Sequence, residues 1–301
     1  MRSPGRRRVV LGCVSVAVLV CFYTVASNAG RLVDPELLPE PFARFLRPDL
    51  LPPTQAIFKA LVSLVTGELP PMEGHHAHPS GHVSHLVEQH VSLQGALLVS
   101  VLRVLFGVAV GGPLGILTGF VLGWNRTADD YLHPIYVLLR SIPSLALITY
   151  VMLWFGHGEA HLLIPIVYAV FTTVVIPTYH GVRDLADVYV RAARSLGAGG
   201  RLLFARVVLP AASPAVLSAL RYSLIIAWMT TVGVEMLMGD DGIGHLLVGG
   251  GLWSSRLQIG VDPAVIVVGI LGLAAAGYLM DTAARIVSDR VTFWARRRRA
   301  W

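Results

Sequence analysis

The chain has 301 residues, of which 54% are hydrophobic and only 14% are charged. Ordinary soluble domains carry about a quarter charged residues, so this composition excludes a water-soluble globular protein. The net charge is +6, but the arginines lie mostly just outside apolar runs and form no single nucleic-acid-binding patch. The two cysteines, Cys13 and Cys21, share one apolar stretch, which excludes a disulfide framework or a cysteine metal site.

Six apolar runs are long enough to cross a hydrocarbon core of about 30 Å as helices. They centre on residues 9–27, 96–123, 135–155, 162–179, 214–238 and 263–283. The pattern predicts an all-α membrane protein with about six transmembrane helices. Three arginines precede the first run, which is either a retained membrane helix or a secretory signal that is removed.

These runs divide the chain into four parts. Residues 1–29 form an N-terminal transmembrane helix, 30–92 an extracytoplasmic segment, 93–290 the transmembrane core and 291–301 a basic tail. Most arginines fall on the same side as the N-terminus, and Arg and Lys in short loops favour the cytoplasmic face. We therefore expect a multi-pass protein of the cytoplasmic membrane with both termini in the cytoplasm.

The predicted extracytoplasmic segment has two features. Residues 55–66 have apolar side chains at helical spacing, which predicts an amphipathic helix on the membrane surface or against the bundle. A stretch rich in Gly, Pro and His follows. Its histidines suit a solvated linker, weak metal capture or pH sensing, and the metal candidates are His75, His76, His78 and His82.

The second apolar run has a glycine at every fourth position. These residues are Gly107, Gly111, Gly115, Gly119 and Gly123. Each step of four advances about 400° around a helix, so the glycines form a smooth groove that lets a neighbouring backbone approach closely in a right-handed crossing. The groove is either a fixed packing surface or one along which helices shift during transport.

Several ionisable residues lie within the apolar runs, where a charge at mid-membrane costs about 2.5 to 3.5 kcal/mol. Arg221 and Asp281 fall near helix ends, where they can reach water. Arg140 and Glu235 are candidates for structural ion pairs, or for groups facing a pathway that attracts an anion. Arg103 is a further in-span charge.

Residues 181–212, between the fourth and fifth runs, have the pattern of two short helices joined by glycines. Asp184 is a predicted N-cap, and Gly197 is predicted just beyond the first helix. The apolar face of that helix carries Leu185, Tyr189, Ala192 and Leu196. A second apolar face, with Leu203, Phe204 and Val207, ends at Leu209-Pro210. The segment either docks on a partner or lies on the membrane surface.

The string RAARSLG at residues 191–197, followed after nine residues by VVLP at 207–210, resembles the cytoplasmic EAA loop of binding-protein-dependent ABC importer permeases. The string LLRSIPSLA at 138–146, LWFG at 153–156 and the motif from Glu235 resemble the nitrate, sulfonate and taurine branch of that family. Arg191 departs from the family pattern, which has glutamate at this position.

This resemblance implies a permease subunit that imports a small solute, such as a sulfonate, taurine or nitrate. Its loop would insert into a cytoplasmic ATPase that binds ATP and Mg²⁺, so no cofactor is expected in this chain. The expected partners are that ATPase, an extracytoplasmic substrate-binding protein and a second permease subunit in a homodimer. The coupling residues implied are Tyr189, Arg191, Ala192, Ala193, Leu196, Gly197 and Pro210.

Two alternatives to an ATP-driven permease are an ion-driven secondary transporter and a membrane metalloenzyme. The sole lysine, Lys59, lies in the external segment, so the chain cannot supply a phosphate-binding loop of its own and an ATP-driven function needs a partner. An ion-driven secondary transporter often has internal repeats and a midplane carboxylate, and neither is evident in the sequence. A membrane metalloenzyme would require the histidines to face a bundle, whereas they lie in a Gly/Pro-rich stretch.

Overall fold

A computed structural model describes residues 52–66, 93–185, 187–248 and 263–292, together with six isolated positions between 18 and 27. The described part is almost entirely helical, as predicted. Its helices are α1 (Thr54–Thr66), α2 (Leu93–Trp124), α3 (Arg126–Arg140), α4 (Leu147–Phe155), α5 (Glu159–Arg183), α6 (Asp187–Ser195), α7 (Gly200–Met238), α8 (Ile243–Val248) and α9 (Pro263–Val291).

Within the described residues, four helices are long and apolar enough to cross a membrane, namely α2, α5, α7 and α9. A bent pair, Arg126–Arg140 with Ser144–Phe155, provides a fifth candidate span. The prediction of an all-α membrane fold is thus confirmed. The predicted span at 9–27 falls almost wholly outside the described residues, and so do the His-rich stretch and the basic tail.

The chain divides into two compact units, Met1–Gln94 with Gly260–Leu271, and Gly95–Ile259 with Gly272–Trp301. In the first unit, the Tyr23 hydroxyl donates to the Pro52 carbonyl at 2.9 Å, just before α1 begins. Helix α1 matches the predicted amphipathic stretch, since Leu64 is buried on one face while Phe58 is exposed on another. The candidate functional residues described below all belong to the second unit.

The third predicted span is a broken helix and not the single rod expected over 135–155. Helix α3 begins at Arg126, where the Asn125 side chain accepts hydrogen bonds from the Thr127 and Ala128 amides. It ends at Arg140, and the segment from Ser144 onward leaves at an angle of 74°. Pro143 explains the break, because a proline disfavours helical geometry in the residue before it and lacks an amide hydrogen.

The glycine groove of α2 lies against α5 along its whole length. A Cβ added at Gly111 would come within 2.5 Å of the Val167 carbonyl oxygen, and one at Gly115 within 2.9 Å of the Phe171 carbonyl oxygen. The side chains met by the five glycines are, in order, Ile166, Val170, Val174, Thr178 and Val182. The glycines of α2 and the facing side chains of α5 both advance by four residues, so the two helices run parallel and in constant register. A contact period of four residues exceeds the 3.6 residues of a helical turn, and the two helices therefore coil around each other in a right-handed sense.

The centre of the second unit is an apolar core shared by α2, α4, α5 and α7. Its buried members include Val104, Ile148, Ile166, Val170 and Ala227. Helix α7 is longer than the span expected over 214–238, because it begins at Gly200 and runs for 39 residues to Met238. The loop between α5 and α7 is therefore joined to the core by continuous helix.

Candidate coupling loop and buried ionic cluster

The predicted docking loop contains α6 and the first turns of α7, and Gly197 ends α6 in a left-handed turn. Gly197 has φ +83°. Its amide donates to the Arg194 carbonyl at 2.9 Å, and the Ala198 amide donates to the Ala193 carbonyl at 3.0 Å. This pair of bonds is the Schellman motif, in which glycine accepts the positive φ without steric cost. The turn fixes the direction in which the chain leaves α6.

The start of α6 differs from the prediction that Asp184 would be its N-cap. Asp184 instead ends α5, where its amide donates to the His180 carbonyl at 2.9 Å. Helix α6 begins three residues later, at Asp187. The helical hydrogen bonds of α5 continue through Arg183 to the amide of Asp184. These bonds outweigh the preference of an aspartate for the N-cap position of the next helix.

One face of α6 and the turn after it are open at the surface of the chain. Leu196 is 88% exposed, and Tyr189 is also exposed. Arg191 and Ala192 are exposed, and Ala193 is partly buried. The two alanine side chains are small and add little bulk at this place. The predicted coupling residues Tyr189, Arg191, Ala192 and Leu196 are thus all exposed on α6 and the turn after it.

The first turns of α7 anchor this loop to the ends of α2 and α5. The Phe204 ring packs edge-on against Phe120 and Trp124, with ring centroids 5.5 Å apart in both pairs. Leu203 and Val208 are buried beside them. Because these are rigid aromatic and branched contacts, the loop is fixed at its α7 side.

Pro210 does not end a second short helix, as the sequence suggested, but lies inside the first part of α7. The helix passes it through a π-helical turn, Phe204–Val208, in which the Leu209 amide donates to the Phe204 carbonyl. A proline has no amide hydrogen, and its ring crowds the preceding turn of a helix. The wider π-helical turn before Pro210 accommodates the ring, so α7 continues without a break.

At the other end of α7, near Met238, a partly buried ionic cluster is centred on Arg103 of α2. Arg103 is only 4% exposed. Its Nη1 donates to Glu235 Oε1 at 2.9 Å, and its Nη2 and Nε donate to the two Glu159 carboxylate oxygens at 2.7 and 3.2 Å. Nη2 also donates to the Asp241 carboxylate, and Nη1 to the Asp241 carbonyl at 3.4 Å. All five N–H groups therefore have acceptors.

Glu235 is fully buried, at 0% exposed, and all its contacts are within the protein. The Ser100 hydroxyl lies 2.9 and 2.8 Å from its two oxygens, and the Gly244 amide donates to Oε2 at 3.0 Å. The Ile243 amide in turn donates to Ser100 Oγ at 2.9 Å. Glu235 therefore forms an ion pair with Arg103, and the hydrogen bond from Gly244 holds the start of α8 against α7.

Arg221 and Asp281, which were expected to reach water separately, bond to each other. Arg221 Nε and Nη2 donate to the two Asp281 oxygens at 2.6 and 3.0 Å, and Arg285 Nη2 donates to Asp281 at 3.1 Å. This bidentate pair joins α7 to α9 within the second unit. Pairing lowers the cost of placing both charges in an apolar span.

Arg140 forms no such ion pair, and its side chain is hydrogen-bonded to Tyr136, one turn earlier in α3. It lies in the last turn of α3, directly before the break of the span, and is exposed. Among the described residues it has no carboxylate within salt-bridge distance, unlike Arg103 and Arg221. The Tyr168 hydroxyl lies within hydrogen-bond distance of the Leu139 carbonyl beside it and of the Ile142 carbonyl, so the bend is tied to α5.

Only part of this site could be recognised from the sequence. Arg103 and Glu235 were recognisable as in-span charges, but they are 132 residues apart and nothing in the sequence pairs them. Glu159 and Asp241 lie beyond the ends of the predicted apolar runs, so they resembled ordinary loop acids. A usable signal was the cluster of glycines after Glu235, at Gly239, Gly242 and Gly244, which indicates close backbone packing.

Comparison with known proteins supports the assignment made from the loop and the helices. Residues 111–293 match the family described as binding-protein-dependent transport system inner membrane component. The taurine transport system permease protein TauC of Escherichia coli K12 is 29% identical over 294 residues, covering 97% of this chain and 92% of that protein. The putative aliphatic sulfonates transport permease protein SsuC of Bacillus subtilis 168 is 27% identical over 295 residues, covering 97% and 91%.

The fold is similar to that of a solved transporter. A structure of the inward-facing MetNI methionine ABC transporter aligns with a TM-score of 0.51 at 20% identity, covering 66% of this chain and 94% of that chain. At this identity the likeness concerns the fold alone. The family match spans more than half of the chain, and it includes the loop and both halves of the broken span. The chain therefore belongs to the family of inner-membrane permease components of binding-protein-dependent transport systems.

Proposed function

We propose that this permease imports a small organic sulfonate or a similar anion, driven by ATP that a separate cytoplasmic subunit hydrolyses. A substrate-binding protein delivers the anion from outside, and two copies of this chain form the pathway. The observation that carries the proposal is the exposed, anchored α6 surface between two membrane helices. The relatives named for taurine and aliphatic sulfonates supply the substrate class.

The α6 surface has the properties of a coupling element. Its Leu196 side chain is 88% exposed, so an apolar side chain at the end of α6 is accessible to a partner. The Schellman turn at Gly197 and the aromatic contacts of Phe204 hold this surface in a fixed direction. Force applied to α6 passes into α7, because the helix is continuous from Gly200 to Met238.

The surface is basic where the usual family pattern is acidic. Arg191 and Arg194 are both exposed on α6. We expect the cleft of the partner ATPase to present a carboxylate opposite Arg191, since a like charge at that point would be repulsive. The loop then faces the cytoplasm, as do both termini, in agreement with the arginine distribution of the sequence.

Arg140 provides the anion selectivity in this proposal. It is the exposed arginine at a break in a membrane span, and it lacks a carboxylate partner in the described part of the chain. An arginine without a carboxylate partner is tolerated within a membrane span where it faces water or an anion, but not where it faces lipid. A guanidinium also forms bidentate hydrogen bonds to a planar or tetrahedral oxyanion.

The first experiment tests the docking surface. The permease is co-expressed with a candidate ATPase subunit from the same genome and purified, and both ATPase capture and ATP-dependent uptake of taurine into vesicles are measured. Leu196→Asp should abolish capture, because a charge replaces the exposed apolar contact. Leu61→Asp makes the same change at an exposed leucine of α1 and should leave capture intact. Full capture by Leu196→Asp would refute the docking role.

The second experiment tests Arg140. Arg140→Ala should lower anion uptake by about tenfold or more while ATPase capture is retained, since the loss of a charged hydrogen-bond partner is worth about 1.5 to 3 kcal/mol. Arg140→Lys should restore part of the uptake because it keeps the charge. Unchanged uptake by Arg140→Ala would remove Arg140 from the pathway. Uptake that persists without ATP and follows an ion gradient would instead support a secondary transporter.

A further inference from the structure

The first turns of α7 have one side packed against the bundle and the other side exposed. Leu203 and Val208 are buried, and the Phe204 ring packs against Phe120 and Trp124 of α2. Because rigid aromatic contacts fix the packed side, the opposite side has one constant direction. We call the opposite side the exposed α7 face, and it consists of Arg201, Leu202, Ala205, Arg206 and Leu209.

The exposed α7 face combines basic and apolar side chains. Leu202 and Leu209 are exposed although they are large and apolar, and Arg201 and Arg206 lie on the same face. On a helix that meets lipid, arginines extend their charged ends from an apolar surface toward the headgroups. The composition of this face is therefore compatible with both parts of a phospholipid, its charged headgroup and its acyl chains.

The two arginines of this face have no acidic partner in the described part of the chain. Arg183, at the same end of the helices, lies 3.5 Å from the Asp129 carboxylate, and Arg221 further along α7 is bonded to Asp281. Neither Arg201 nor Arg206 has a described carboxylate within salt-bridge distance, in contrast to those two. Their positive charges are thus available to an anion from outside the chain.

The length of α2 places the exposed α7 face near one boundary of the membrane. The cluster around Arg103 includes the exposed carboxylates of Glu159 and Asp241, which mark an aqueous boundary. At about 1.5 Å per residue, the part of α2 from Arg103 to Trp124 is about 31 Å long. This length matches a hydrocarbon core of about 30 Å, so Trp124 and the Phe204 ring that it contacts lie at the opposite boundary.

The exposure of Trp124 supports this placement. Its ring is exposed in the last turn of α2, and tryptophans are enriched where a helix passes from hydrocarbon to headgroups. Arg201 and Arg206 lie within three residues of Phe204 in the same helix. Their long side chains therefore reach the level of the lipid phosphates.

From this charge, composition and depth we propose that the exposed α7 face binds an anionic phospholipid, with the guanidinium groups of Arg201 and Arg206 on the headgroup and Leu202 and Leu209 against the acyl chains. A guanidinium forms bidentate hydrogen bonds to phosphate oxygens, and a pair of them favours a net negative headgroup over a zwitterionic one. The two parts of the loop then have different partners, the ATPase for α6 and lipid for the start of α7. The lipid contact does not depend on the proposed transport function.

Native mass spectrometry of the full chain in a neutral detergent tests the headgroup contact. Dioleoyl phosphatidylglycerol is compared with dioleoyl phosphatidylcholine, which has the same acyl chains but no net charge. We expect the permease to bind phosphatidylglycerol about tenfold or more tightly at low salt. The double variant Arg201→Gln with Arg206→Gln should reduce this preference to about twofold. Absence of a preference in the unmodified permease overturns the proposal.

The matched control is the double variant Arg191→Gln with Arg194→Gln. It removes the same charge from two exposed arginines of α6, so it should keep the preference for phosphatidylglycerol. An equal preference in the two double variants would show that the lipid responds to total charge and not to the exposed α7 face, and the proposal would be wrong. Thermal unfolding without added lipid should give equal melting temperatures, because all four arginines are exposed.

A conservative variant tests whether charge binds the headgroup. Arg201→Lys with Arg206→Lys keeps both charges and should keep most of the preference, although lysine lacks the bidentate geometry. A loss as large as that of the glutamine variant would exclude a charge-based contact at this face.

Two further measurements separate lipid from the other occupants. Glycerol phosphate carries a phosphate without acyl chains, and at equal concentration it should not displace phosphatidylglycerol. Displacement would show that the face binds phosphate alone. Capture of the ATPase by Arg201→Gln with Arg206→Gln should be retained. Loss of capture with an unchanged lipid preference would assign the face to the ATPase and overturn the proposal.

Discussion

Gly242 lies directly against the buried carboxylate of Glu235, and there is no room for a side chain between them. A Cβ at Gly242 would be 2.4 Å from Cδ of Glu235, and Gly242 has φ +91°. The turn after α7 is therefore shaped around the carboxylate, which in turn binds Arg103 and Ser100. This relationship makes the turn sensitive to both glycine and charge substitutions.

We first predict that Gly242→Ala destabilises the permease by about 2 kcal/mol or more, because it combines a positive φ with a steric clash. Gly199→Ala is the control, since Gly199 has φ −68° and no atom within 4 Å of the position of a Cβ. Thermal unfolding in detergent compares the two variants. Equal melting temperatures would contradict the packing of the turn around Glu235.

The second prediction concerns the buried pair of Arg103 and Glu235. Arg103→Met should destabilise the protein by about 3 to 5 kcal/mol, because it leaves a buried carboxylate uncompensated. The double variant Arg103→Met with Glu235→Gln should recover part of this loss by removing the charge. Denaturant titration of the two single variants and the double variant gives the coupling energy.

Glu159→Gln is the matched control for that cycle. The Glu159 side chain is 60% exposed, so its bond to Arg103 is screened by water and its loss should cost at most about 1 kcal/mol. A loss as large as that of Arg103→Met would mean that Glu159, and not Glu235, compensates the guanidinium.

Third, we predict that Gly115→Ala separates α2 from α5. The added methyl group would meet the Phe171 carbonyl and the Val174 side chain, both at 2.9 Å. Overpacking of a dense interface costs about 1 to 3 kcal/mol. Gly277→Ala in α9 serves as the control, because its nearest neighbour beyond its own helix lies at an ordinary 3.5 Å. Thermal unfolding should rank Gly115→Ala below Gly277→Ala, and the reverse order would exclude the close α2–α5 contact.

The fourth prediction is that Arg221 and Asp281 act as a pair. Either single alanine substitution should destabilise the protein, and the double substitution should cost less than the sum by about 1 kcal/mol. Exchange of the two residues, Arg221→Asp with Asp281→Arg, should restore part of the stability if geometry permits the bond. If the losses of stability in the two single variants add up in the double variant, Arg221 and Asp281 contribute to stability separately, each through water or through Arg285.

The candidate site could be predicted from the sequence where its signal is local. The loop motif identified α6, and Gly197 lies at the left-handed turn where the pattern requires it. The prediction of Asp184 as an N-cap was wrong because a capping preference of about 1 kcal/mol competes with helical bonds that continue from α5. The helix expected to end at Pro210 continues because a π-helical turn accommodates the proline.

Hydropathy and residue spacing alone identify a membrane protein with about six apolar runs, a glycine groove on one helix and a loop of short helical segments between two others. These properties follow from side-chain hydropathy and from spacing along one helix, which are local. Three further properties are visible only in the folded chain: Arg103 bonds to Glu235, the third span is bent by 74°, and Arg221 bonds to Asp281. Pairing of distant charges depends on which helices become neighbours and in what register, and no single segment contains that information.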